Sequence, residues 1–243
     1  MLVESGHAAD RPALRSLATG GPNPLGRLHA LWTLSGPEQL DEATVATALR
    51  DQDDRVGSAA VRLTEPFLRK EKNCGAILSR LEPLVTDPSA ELRIQLALLF
   101  GEARDPRAER MMTTLVRDAG ADLLMAYAVG TGLAHRELEF LEKLVADSPE
   151  GTLASGTAAW SANSPPAWRY ERQASRVERF LRLAGTASGA WKTNLLTGFA
   201  QAAPFVARRP IILTEASAIL AELKNSADTS VAAAAAKTDA LLT

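Results

Sequence analysis

Pro24 to Leu63 reads PLGRLHALWTLSGPEQLDEATVATALRDQDDRVGSAAVRL, and its punctuation decides the fold. Leu25, Leu28, Leu31, Trp32 and Leu34 fall at helical spacing and predict one wide apolar stripe. Gly36 and Pro37 stop that helix, because glycine accepts the left-handed conformation at a helix end and proline cannot continue it. Asp41 then caps a second helix, with Val45, Ala48 and Leu49 inward. An acidic turn, Asp51 to Asp54, leads into a third helix with Val56, Ala59, Ala60 and Leu63 inward.

The same cycle of helix, short turn and helix recurs downstream. Arg69 to Gly75 reads as an exposed polar loop, followed by a helix from Ala76 to Thr86 that Pro83 kinks or restarts. Asp87 and Pro88 give an N-cap and a first-turn proline ahead of Leu92, Leu96, Leu98, Leu99 and Phe100. Asp105 and Pro106 repeat that start ahead of Ala108, Met111, Met112, Leu115 and Val116. A fourth pair joins Ala121–Gly132 to His135–Ala146. The turns before the first helices align at Pro24, Gln52, Pro88 and Ala119, a loose period of 28, 36 and 31 residues. A two-helix repeat near that length is a solenoid signature, since each pair can bury its apolar face only against its neighbours.

Composition agrees: hydrophobic residues make up 46% of the 243 and aromatics 5%, which favours closely packed helices over a β-sandwich. The expected fold is therefore all-α, an α-solenoid of about five or six stacked antiparallel helix pairs. Three regions are expected: clear repeats over 1–147, a loosened hinge or irregular repeat over 148–166, and further helices with a C-terminal cap over 167–243. The loosened stretch, SPEGTLASGTAAWSANSPP, is rich in Ser, Gly, Thr and Pro around Trp160.

The pattern in Ala97–Val116, ALLFGEARDPRAERMMTTLV, resembles that of HEAT-like repeats: apolar helix, Gly, spacer, Asp-Pro, apolar helix. Leu14–Gly36 and the following DEATVATALRDQDDRVGSAAVRL also resemble the HEAT-repeat segment of large bacterial membrane-bound-dehydrogenase-like proteins. Those proteins place a β-propeller before the repeats and a c-type cytochrome module after them. The resemblance implies a connecting or docking role and a periplasmic setting. It implies no chemistry here, because this sequence has no propeller region and no Cys-x-x-Cys-His.

Function classes narrow from there. Cys74 is the only cysteine, read as a partly buried free thiol, so disulfide and Cys-based zinc frameworks are excluded. His7, His29 and His135 form no metal-binding pair, and no nucleophile elbow or phosphate loop with its lysine is present. No catalytic residue, metal or cofactor is expected. The N-terminal MLVESGHAADRP lacks the features of a secretory signal, and no apolar run approaches the ~20 residues of a membrane span, so no membrane insertion is expected. Without the periplasmic parent, the expected compartment is the cytoplasm.

What remains is a surface. The formal net charge is -2, yet residues 151–243 carry ten Lys/Arg against six Asp/Glu. Arg169, Arg172, Arg176 and Arg179, with Arg182 nearby, form a basic helix face beside Trp160 and Trp168. Guanidinium groups in a row bind carboxylates or phosphates, or else form a solvated face. Trp32 is read as core. The expected function is a non-catalytic scaffold that docks another protein or a domain of a parent polypeptide along a groove lined by the second helix of each pair. The alternative is a nucleic-acid-binding, DNA-glycosylase-like HEAT protein using the arginine face. The acidic first half argues against it, because duplex binding rests on many phosphate contacts.

Overall fold

The computed structural model describes residues 10–36, 39–69, 71–103, 105–148, 155–163, 174–201 and 216–242. Among them every regular element is helical. The helices are α1 (Arg11–Gly20), α2 (Pro24–Ser35), α3 (Glu42–Ala48), α4 (Asp54–Leu63), the short α5 (Glu65–Leu68), α6 (Glu71–Leu81), α7 (Ala90–Phe100) and α8 (Pro106–Ala119). They continue as α9 (Leu123–Gly132), α10 (Glu137–Ala146), α11 (Ser155–Asn163), α12 (Ala174–Thr186), α13 (Gly189–Gln201), α14 (Ala216–Lys224) and α15 (Thr229–Leu242). The fold is an α-solenoid of stacked helix pairs, and the chain divides into two compact units after Met112.

In the first unit, side-chain caps set the repeat. Asn23, Asp53 and Ser89 each accept a hydrogen bond from a backbone N–H in the first turn of α2, α4 and α7. These caps, 30 and 36 residues apart, correct the sequence alignment at Gln52 and Pro88: proline marks the approach to the third helix, but Ser89 caps it. α2 packs on α4 and α4 on α7, while α1 packs on both α2 and α3. Counting from each helix start brings equivalent residues into register. The seventh (Ala30, Ala60, Leu96), eighth (Leu31, Val61, Ala97) and eleventh (Leu34, Thr64, Phe100) positions are all buried. Thr64 is tolerated in this apolar row because its hydroxyl donates to Val61 O at 2.6 Å.

Two sequence expectations change here. The polar stretch expected as a loop is already helical from Glu71, since Glu and Lys are good helix formers. The helix then gives way at Pro83 to a 3-10 turn, Glu82–Thr86. Trp32 is not core: it is 41% exposed, with the Arg62 guanidinium 5.7 Å from its ring centroid. Trp32, Arg62 and Leu98 occupy the same ninth position of successive helices and are all exposed. The stripe of α2 is therefore narrower than its leucines suggest.

The second unit also alternates in two layers. α9 packs on α11, α11 on α13 and α13 on α15; α10 packs on α12 and α12 on α14. Within the loosened stretch around Trp160, Ser155–Asn163 is a helix, while 149–154 and 164–166 lie outside the described residues. A Cβ on Gly156 would stand 2.4 Å from Arg117 O and 2.5 Å from Val116 O, so the start of α11 meets the end of α8 backbone to backbone.

Candidate functional site

An open groove of about 710 Å³ lies on the first unit. Its floor is the small-residue face of α3, with Ala43, Ala46 and Thr47, and one wall is the end of α1 at Gly20 and Gly21. Arg80 enters from α6, so the groove lies along second helices, α1, α3 and α6. Its polar groups come from Arg27, Arg50 and Asp51.

Arg27 is a fixed part of that wall. It donates from Nε and Nη2 to the two Asp51 oxygens at 2.6 and 2.7 Å, and from Nη1 to Gly21 O at 2.7 Å. This fork holds the Asp51 carboxyl below the usual carboxylate range and pushes the Arg27 guanidinium up. Asp51 also accepts from Asp53 N at 2.9 Å, so its oxygens face inward to protein donors. Arg80 pairs with Glu42. Arg50 is exposed at the end of α3 and makes no ion pair among the described residues. The groove thus presents one uncommitted guanidinium beside two compensated ones.

The arginine face foreseen late in the chain is only partly described: Arg169, Arg172 and Trp168 lie outside the described residues. Arg179 on α12 is forked onto Glu142 of α10 and donates to Glu139 Oε1 at 2.9 Å, which pushes its guanidinium up. Arg176 donates to His135 O at 2.9 Å and stands 3.9 Å from Glu137 Oε2 and 3.8 Å from Glu139 Oε2. Arg182 is 3.7 Å from Glu178. Arg176 and Arg179 tie α12 to α10 and to His135 ahead of it, whereas the Arg182 pair with Glu178 lies within α12.

Trp160 is 3% exposed and meets Phe140 edge to face, with centroids 5.5 Å apart. Arg176 and Trp160 converge on a residue that sequence reasoning passed over, Glu137, which is also 3% exposed. As the first residue of α10 it reads as an ordinary first-turn acid. The missed signal is its spacing: Glu137, Leu141 and Leu144 are i, i+4 and i+7, so the carboxylate lies on the buried stripe. Just before it, His135 has φ 69, a left-handed backbone uncommon for a residue other than glycine.

Cys74 is half-buried, and burial pushes its thiol up, with Asp105 adding to the shift and Arg107 opposing it. Among the described residues, no three His, Cys, Asp or Glu side chains are placed to hold a metal ion. No helix among them is long and apolar enough to cross a membrane.

No protein-family model matches the chain, and no curated protein matches it. Among solved structures it is similar to a designed armadillo repeat protein, at 17% identity, covering 100% of this chain and 97% of that one with a TM-score of 0.33. At that score the likeness carries no weight. The helical-repeat class rests on the capped, registered and layered helices themselves.

Proposed function

We propose that the chain is a non-catalytic docking scaffold that receives an acidic stretch of a partner polypeptide in the first unit's groove. The observation that carries this reading is the groove: small residues on its floor, compensated charges at Arg27 and Arg80, and the uncommitted Arg50 at its edge. Ala43, Ala46 and Gly20 leave room for a backbone to approach, and Arg50 selects a carboxylate through a charge-assisted hydrogen bond. A repeat array suits this role, because the stacked core fixes the scaffold while exposed positions vary freely. In the dehydrogenase-like setting, the partner would be another module of the same polypeptide; that setting rests on the sequence resemblance alone.

Capture of binding proteins from the native host, followed by mass spectrometry, tests the reading. Recovery of a partner that is lost with Ala46→Trp, which fills the groove, and with Arg50→Glu supports it. Recovery unchanged by both variants, or no partner at all, counts against it. Nucleic acid is the weaker reading, because Arg176 and Arg179 are engaged by α10.

A further inference from the structure

Glu137 presents a problem that the second unit must solve. Among the described residues, neither of its buried oxygens accepts a hydrogen bond, and the buried Trp160 Nε1–H likewise has no acceptor. The Arg176 contact at 3.9 Å lies beyond hydrogen-bond range. A buried carboxylate without hydrogen bonds is disfavoured, which favours a further group that supplies them.

The chemistry around Glu137 narrows what that group is. Glu137, Trp160 and Ser161 line one small cavity of about 20 Å³ whose remaining walls include Leu141, Phe180 and Leu195. One water needs roughly 10–15 Å³ and two to four polar partners. The Ser161 hydroxyl donates to Ala158 O at 2.9 Å, which leaves its oxygen able to accept. A metal cation is disfavoured because the Arg176 guanidinium already faces the carboxylate, and an organic ligand is too large.

We propose that this cavity is a built site for one ordered water, which donates to the Glu137 carboxylate and accepts from the Trp160 indole. Its second hydrogen goes to the other Glu137 oxygen or to Ser161. The water links α10 to α11 through polar groups that do not hydrogen-bond each other. The inference is independent of the docking reading.

A high-resolution crystal structure of the full chain, together with water-to-indole cross-relaxation NMR, tests it. Expected are one density peak within hydrogen-bond distance of Glu137 and Trp160, and a cross-peak from a long-lived water to the Trp160 indole proton. Glu137→Met removes the acceptor and should abolish that cross-peak; Glu137→Gln retains an acceptor and should preserve it. A dry cavity in the wild-type crystal, no cross-peak in the wild-type protein, or a cross-peak unchanged in Glu137→Met would each overturn the proposal. Should Glu137→Met fail to fold, the wild-type density and cross-peak decide alone.

Discussion

In the first unit α2, α3, α4 and α7 begin with side-chain caps, at Asn23, Asp41, Asp53 and Ser89, as α9 of the second does at Asp122, whereas α10 begins after a left-handed His135 and an Arg136 that provides no side-chain cap. Unpartnered buried atoms in the first unit are single side-chain atoms, such as Ser58 Oγ and Arg93 Nε. In the second they include a whole carboxylate and the indole N–H groups of Trp160 and Trp191. Where local signals agree with packing, the structure is regular. Where they conflict, polar groups are drawn into the interior and need partners of their own.

The largest effects should come from the two cores, broken in different ways. Leu31→Asp places an unpaired charge at a fully buried position of the registered ladder. It forfeits about 1.5–3 kcal/mol of burial and adds a desolvation cost, so loss of the cooperative thermal transition of the first unit is expected. Gly156→Ala strikes the second unit by backbone collision, and should cost roughly 1–3 kcal/mol or more, read as a lower urea midpoint. Near-wild-type melting of Gly156→Ala would show that α11 can slide away from α8.

These contrasts explain what could be read from the sequence. The helix pairs were legible because Asp41, Asp53 and Asp105 act locally, each capping the helix that follows. Gly36 ends α2 in the right-handed conformation, not the left-handed one its glycine suggested. Trp32 was misplaced because five apolar residues in α2 exceed the width of the face that α1 and α4 can cover. The α10–α12 ion pairs were not legible, since Arg179 meets Glu142 across 37 residues and no local spacing announces it. Cys74 is half-buried, as expected of a partly buried free thiol, although it sits on a helix and not in the exposed loop that its polar neighbours suggested. The groove was foreseen only as a face of second helices; its arginines depend on how α1, α3 and α6 come together.

Acid should sharpen the comparison from the first unit's side. Asp53, hydrogen-bonded by Arg55, and Asp105, hydrogen-bonded by Arg107, are both held at about 2. The unfolded value is about 3.9, so folding depresses both, and their contribution is present above the unfolded value. It is lost as pH falls from about 4 through 2. Urea midpoints measured across that window should fall for the wild type and fall less for the Asp53→Asn, Asp105→Asn double variant. High salt should flatten the difference, because both ion pairs are near the surface.

The smallest effect should come from Arg179, and it separates a structural pair from a binding surface. Its side chain is 44% exposed, so the forked contact with Glu142 is largely screened, and Arg179→Ala should cost about 0.5–1 kcal/mol. Arg179→Glu should cost more than Arg179→Ala, because it sets three carboxylates together with Glu139 and Glu142. Adding Glu142→Lys to Arg179→Glu should recover part of that difference by reversing the pair. If Arg179 instead served a partner, both single variants would melt like the wild type and the charge swap would restore nothing. Thermal melts of the four proteins at low salt distinguish these outcomes, since a swapped pair can be rescued only where the two side chains meet within the fold.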